Sequence, residues 1–177
     1  MRLSLVIPIY NERLFVKSFW SSLKEAPLFD GTSITHVELL VVDDGSNDGT
    51  TPIMRQLIAE PFYFKSGERA TVHFTHLEKN HGKGYAIRQG IRQSTGDIVL
   101  IQDSDLEYSP ADIPDLIKPM TSGIADAVFG SRFTGHCRRA LFFWHAMMNR
   151  VLTIQSNKKS PHHWRPFCMP RHLCPLG

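Results

Sequence analysis

Three carboxylates fall within five positions of "VLIQDSDLEY", residues 99–108: Asp103, Asp105 and Glu107. Like charges that close repel, and each raises the cost of ionising its neighbour. They follow an apolar run of strand length. In extended backbone, side chains alternate, so Asp103 and Asp105 leave the chain on the same side. A hard divalent cation removes their repulsion. Magnesium or manganese typically takes one or two carboxylates and completes its shell with substrate phosphates and water. The pattern therefore predicts Mg2+ or Mn2+ on Asp103 and Asp105, with Glu107 adding a ligand directly or through water, and a phosphorylated ligand beyond. Asp-x-Asp arises often by chance. A second pair, Asp43-Asp44, at the end of another apolar run strengthens the reading.

Lys83, between Gly82 and Gly84, is the cationic counterpart. Glycine lets backbone approach a ligand closely. The helix expected after it offers its positive N-terminus to an anion. The spacing is neither GxxxxGK[ST] nor GxGxxG, which disfavours a P-loop and a dinucleotide site. A solvated lysine in a tight turn is the plain alternative.

These residues need elements to hold them. "LSLVIPIY" (3–10) and "HVELLVVDD" (36–44) are continuous apolar runs, suited to strands buried on both faces. A helix is expected over about 12–26, and Thr51-Pro52 reads as N-cap and first position of another. "ATVHFTHLE" (70–78) and "GDIVLIQ" (96–102) read as third and fourth strands. Between them, 82–94 reads as a helix with Ala86, Ile87, Gly90 and Ile91 on one face. Ser109, Pro110 and Asp112 form a capping-box pattern, and "ADAVFGSR" (125–132) reads as a fifth strand. Strands alternating with helices imply a Rossmann-like α/β fold: a doubly wound, mostly parallel sheet flanked by helices.

In such sheets, ligands bind beyond the carboxyl ends of the strands. Each expected end here carries polar chemistry: Pro8, Tyr10, Asn11 and Glu12; Asp43 and Asp44; Asn80 and Lys83; Asp103 to Glu107; Ser131 and Arg132. Strand ends lead into solvated loops, which are polar in any case. That does not explain the Asp pairs following buried valines.

Length and composition fit one globular domain: 177 residues, 42% hydrophobic and 21% charged. The net charge of +3 hides an asymmetry. Residues 1–126 carry 12 Lys/Arg against 17 Asp/Glu, or −5, and residues 127–177 carry 8 Lys/Arg and no acid, or +8. A basic end on an acidic body points to a polyanionic partner. Three cysteines give no disulfide framework, and their spacing with the late histidines fits no common zinc pattern. No apolar run is long enough to span a bilayer, and the start lacks a secretory pattern, so a cytoplasmic location is expected. "RRALFFWHAMMNRVLTI" (138–154) reads as an aromatic-rich helix with basic residues near its ends, able to pack on the sheet or lie in a membrane interface. The expected organisation is one domain over 1–156 and an irregular basic tail over 157–177, which holds four prolines and three histidines.

In this order, "VIPIYNE", "VVDDGSNDGT", "NHGKGYAIRQG", "GDIVLIQDSDLEY" and "AVFGSRF" resemble the family-2 glycosyltransferases of the GT-A fold, over about three quarters of the chain. Within them the sequence looks most like the polyprenyl-phosphate glycosyltransferases: dolichyl-phosphate mannose and glucose synthases and their bacterial relatives. The resemblance implies that Pro8, Tyr10, Glu12, Val41 and Asp43 hold the donor's base and ribose. It implies that Asp103 and Asp105 bind the metal, with Ser104 alongside and Glu107 in the metal's shell. Arg132 and Arg138 or Arg139 match basic residues near the donor and acceptor phosphates. It implies sugar transfer from a UDP- or GDP-sugar with inversion, onto a lipid phosphate, with peripheral membrane contact.

The physical chemistry agrees. Breaking a sugar–diphosphate bond develops negative charge on the leaving group, which a metal and Lys or Arg stabilise. A hydroxyl acceptor needs a general base; a lipid phosphate is already anionic. No Asp or Glu follows residue 126, so the acid-free end suits an anionic acceptor. From about residue 157 the resemblance breaks, as a truncated or frame-shifted end would, with donor binding kept and transfer impaired. A sugar-phosphate nucleotidyltransferase is disfavoured because "PIYNER" stands where its glycine-rich loop belongs. A nucleotide-sugar-binding domain without turnover is the non-catalytic alternative. Trp164 and Phe167 give little stacking platform for nucleic acid.

Overall fold

The first strand shows why the sheet forms. In β1 (Arg2–Ile9), every residue after Arg2 is buried, and β2 (His36–Asp43) repeats that pattern after His36. Runs of branched residues buried on both sides have to sit at the centre of a parallel sheet. In the computed structural model, which describes residues 1–105 and 108–130, they do. β3 (Thr71–His76) lies on the outer side of β2 and β4 (Ile98–Ile101) on the outer side of β1, giving the order β3-β2-β1-β4. All three pairings are parallel. In the β1–β2 register, Ile9 stands opposite Asp43, so both strands end level.

Alternation then sorts the two faces. Leu3, Leu5, Ile7 and Ile9 join Val37, Leu39 and Val41 in one core. Helix α1 (Val16–Lys24) covers it with Val16, Phe19, Trp20 and Leu23, spaced to form one helical stripe. Met54 of α2 (Thr50–Ala59) and Ile113 and Ile117 of α4 (Ile113–Thr121) complete that layer. Fully burying each such side chain contributes about 1.5–3 kcal/mol. Phe62 and Phe64 close the layer's edge, with Trp20 edge-on to Phe62 at 4.9 Å.

The opposite face carries α3 (Lys83–Gln93). A Cβ on Gly90 would meet Val6 Cγ1 at 2.4 Å, so the helix lies directly on β1 at that point. Ala86 and Gly90 are buried there, while Ile91, expected on the same face, is 44% exposed. Its position a further 100° round the helix takes it off the narrow seam that the two small residues make.

At the end of the sheet where the strands begin, buried Glu38 accepts hydrogen bonds from Ser4 Oγ, from Thr95 N–H at 2.6 Å and from Thr95 Oγ1 at 2.9 Å. Gly96 N–H donates to Ser4 Oγ at 2.8 Å. This ties the α3–β4 turn to the two central strands.

Three expectations need correction. α2 starts two residues early, capped by Gly49, because Thr51 turns its hydroxyl to Asp43 while Asp48 accepts from Thr50 N–H at 2.9 Å. The Ser109 segment opens as a 3₁₀ turn, Pro110–Asp112, with Ser109 Oγ accepting from Ala111 N–H, before α4 begins. Residues 125–130 form no strand. Ile124 and Ala125 instead donate their N–H groups to Pro119 O, at 2.9 and 3.1 Å, which turns the chain back on the end of α4.

The chain divides into two compact units, Met1–Asp126 and Ala127–Gly177, and every element above lies in the first. The expected helix over 138–154 and tail over 157–177 lie outside the described residues.

Candidate functional site

The site is built from loops that the parallel sheet delivers to one edge. After β1 the chain turns at Asn11, whose φ of 54° is left-handed, a conformation asparagine tolerates better than most residues. Asn11 N–H donates to Ser46 Oγ and Asn11 Oδ1 accepts from Asn47 N–H, each at 3.0 Å. Arg13 N–H donates to Asp48 Oδ2 at 3.0 Å. The first and second strand-end loops are therefore laced together.

Asp43, which ends β2, and Asp44, which follows it, separate. Asp44 lines the hollow above the sheet and takes loop amides, with His81 N–H on Oδ1 at 2.9 Å and Gly82 N–H on Oδ2 at 2.8 Å. Gly45, with φ 72°, makes this possible. A Cβ there would lie 2.5 Å from the Lys79 carbonyl carbon, so only glycine lets the two loops touch. Asp43 is fully buried and does not line the hollow. Its Oδ1 accepts from Ser46 N–H at 3.0 Å; its Oδ2 accepts from Thr51 Oγ1 and lies 3.2 Å from His76 Nδ1. Val41 is likewise a core residue.

β4 leads directly into Gln102, whose Nε2 donates to the Asp103 and Tyr108 carbonyls, both at 3.1 Å, and so shapes the turn that presents the carboxylates. Ser104 is buried, with Oγ near Pro8 O at 3.4 Å.

The hollow has a volume of about 230 Å³. Pro8, Tyr10 and Glu12 enter it from the first loop, Asn80 and Lys83 from the third, and Asp103, Ser104 and Asp105 from the fourth. Ile9 and Ala86 form its apolar floor. Lys83 Nζ lies 2.7 Å from Asp103 Oδ2. Burial, followed by the fields of Asp105, Asp48 and Asp103, pushes the Glu12 carboxyl above its usual range, and Lys83 offsets part of that. Among the described residues, four carboxylates line the hollow, Glu12, Asp44, Asp103 and Asp105, and one ammonium, that of Lys83.

That excess is the test of whether a divalent cation fits. An ammonium already stands on Asp103, and Asp105 lines the same hollow. Among the described residues, no three Asp, Glu, His or Cys side chains converge as a complete ligand set. Two carboxylates with the rest of the shell from phosphate and water is the usual arrangement for magnesium, so the donor set fits. A cation bound there would polarise phosphate oxygens and neutralise charge on them.

Glu107, Arg132, Arg138 and Arg139 lie outside the described residues. The structure brings Pro8, Tyr10, Glu12, Asp44, Lys83, Asp103, Ser104 and Asp105 to one hollow, and places Asn11, Val41 and Asp43 in its support. Sequence reasoning passed over Gln102 and His76. An amide closing an apolar strand was the signal for the first; nothing in the sequence singled out the second.

Comparison with known proteins gives one consistent answer. The family model described as "Glycosyl transferase family 2" matches residues 4–172. An undecaprenyl-phosphate 4-deoxy-4-formamido-L-arabinose transferase of Pseudomonas syringae pv. syringae (strain B728a) is 34% identical over 122 residues, 68% of this chain and 33% of the relative. A dolichol-phosphate mannosyltransferase of Pyrococcus furiosus is 30% identical over 133 residues, 75% of this chain and 34% of the relative. The chain thus spans about a third of the length of these curated relatives. The mannosyltransferase PcManGT from Pyrobaculum calidifontis, solved with GDP-Man and Mn2+, shares the fold: TM-score 0.51 at 23% identity, covering 66% of this chain and 31% of that one.

Proposed function

The chain belongs to glycosyl transferase family 2, and from that premise we propose that its acidic hollow takes a nucleotide diphosphate sugar through a divalent cation on Asp103 and Asp105, for transfer of the sugar to a polyprenyl-phosphate-type acceptor. The observation that carries this reading is the convergence of Asp103, Asp105 and Lys83 in one hollow at the carboxyl edge of a parallel sheet. The names of the two curated relatives support the acceptor class.

Each residue has a role that follows from its position. Tyr10 and Pro8 line the hollow, where they would contact a base and ribose. Lys83 sets a positive charge against the diphosphate as it leaves. Asp44 fixes the loop that carries Lys83. Ser104 and Gln102 hold the turn that presents Asp103 and Asp105. An anionic acceptor phosphate attacks without a general base and from the opposite side of the sugar, so the reaction inverts. Arg132 with Arg138 or Arg139 would steady the two phosphates.

The test is transfer itself. The full chain is incubated with radiolabelled UDP- or GDP-sugar, polyprenyl phosphate and Mn2+ or Mg2+, and lipid extracts are counted. Label in the lipid phase that disappears with EDTA is the expected result. Donor binding without labelled lipid would reduce the function to nucleotide-sugar binding.

A further inference from the structure

One of the two carboxylate oxygens that Asp103 would offer a cation is already engaged. Lys83 Nζ is 2.7 Å from Asp103 Oδ2, well within contact for an ion pair. The two partners differ in surroundings: the Lys83 side chain is 57% exposed and that of Asp103 16%. The carboxylate is therefore held in the hollow, while the ammonium reaches in from solvent on a flexible four-carbon stem. It can move without losing much hydration elsewhere. Its backbone is fixed, because Asp44 holds the preceding His81 and Gly82 amides.

We propose that Lys83 is a resident counterion that keeps a free divalent cation off Asp103, and that a diphosphate draws it away, so that cation and nucleotide enter as a complex. The inference rests on the function proposed above, whose ligands it uses.

The argument is electrostatic. An ammonium and a divalent cation on one carboxylate repel each other, so each weakens the other's hold on it. With Lys83 in place, the hollow's excess negative charge is partly balanced, so a bare cation gains less on entering. A diphosphate brings its own anionic oxygens, to which Lys83 can turn, leaving Asp103 to the metal. Nucleotide and cation must then help each other by the same factor, because coupling between two ligands is reciprocal. Lys83 would carry part of that coupling. It is a positioning residue in this respect, separate from its action on the leaving diphosphate.

The experiment measures Mn2+ binding by loss of its free paramagnetic resonance signal, on the full chain, with no activity assay. Wild type, Lys83→Met and Lys83→Arg are each titrated alone and with UDP or GDP. Lys83→Met is expected to bind Mn2+ alone about three- to tenfold more tightly than wild type, as loss of a partly exposed competing ion pair implies. Its gain in Mn2+ affinity on adding nucleoside diphosphate should shrink by the same factor. Lys83→Arg should behave as wild type, which separates charge from packing. Uridine or guanosine, lacking phosphates, should leave Mn2+ affinity unchanged in all three. Unchanged or weaker Mn2+ binding by Lys83→Met alone would overturn the lysine's role while leaving the site intact. Absence of Mn2+ binding in every protein and nucleotide state would overturn the underlying functional reading as well.

Discussion

Asp44, in the loop after the second strand, and Gly82, at the start of the third helix, are joined by a hydrogen bond, with Gly82 N–H donating to Asp44 Oδ2 at 2.8 Å. The neighbouring His81 N–H takes the other carboxylate oxygen. A buried acid thus does for this loop what a bound anion does for a helix N-terminus elsewhere. The amides expected to face a phosphate are already spoken for, and Lys83 is aimed instead.

Asp44→Ala leaves those two amides without their acceptor and should cost about 1–3 kcal/mol of stability. It should also weaken nucleoside diphosphate binding, because Lys83 loses its fixed base. Denaturant midpoints and a binding titration on the same protein check both effects. Loss of stability with unchanged affinity would detach Asp44 from the site.

Gly90→Ala forces a methyl group to within 2.4 Å of Val6 Cγ1. Overpacking of this kind costs about 1–3 kcal/mol. Gly84→Ala is the control: the nearest atom to its Cβ is Arg88 Nη1 at 4.0 Å. An alanine there should be neutral or stabilising by up to about 1 kcal/mol. Thermal melts of the two variants should therefore move differently. A stable Gly90→Ala would mean α3 does not lie on β1 as closely as described.

Glu38 gives a pH signature. Burial pushes its carboxyl up, but hydrogen bonds from Ser4 and from Thr95, with the field of His73, more than offset this and hold it below the ordinary 4.5. A depressed folded-state value means the carboxylate's contribution is fully present above the unfolded value and is lost as pH falls through the folded one. Glu38→Gln should be less stable than wild type at neutral pH. The gap should narrow as pH drops below 4.5. Urea midpoints across that range test this; a gap that widens in acid would contradict the network.

Asp43→Ala removes the acceptor shared by Ser46, Thr51 and His76. Stability should fall by about 1–3 kcal/mol. Thr51→Val, which removes one of the three partners, should reproduce only part of the loss. Equal stability of Asp43→Ala and wild type would show that this aspartate is not needed for the second loop.

How much was legible beforehand divides along physical lines. β1 and β2 could be read because unbroken apolar runs of strand length, bounded by polar residues, have few alternatives to a buried strand. That Asp103, Asp105 and Lys83 would gather at one edge of the sheet was legible too, because each follows directly on an expected strand end or opens an expected helix. What could not be read was direction. Asp43 and Asp44 are adjacent in sequence, yet one points into the fold and the other into the hollow. Only the register of β2 against β1 decides which is which. The cation that the aspartates call for was expected from outside the chain, while Lys83 already supplies one. Over residues 125–130 the expected fifth strand does not form; the chain enters that segment through a turn, with the Ile124 and Ala125 N–H groups on Pro119 O, which apolar content does not reveal.

The measurement closest to the central claim is a calorimetric titration of UDP and GDP into the wild-type chain and Asp105→Ala, each in Mn2+ and again in EDTA. The account predicts that at least one nucleotide binds wild type in Mn2+, that EDTA abolishes or sharply weakens this, and that Asp105→Ala shows no difference between the two conditions. Equal affinity of wild type in Mn2+ and EDTA would contradict it.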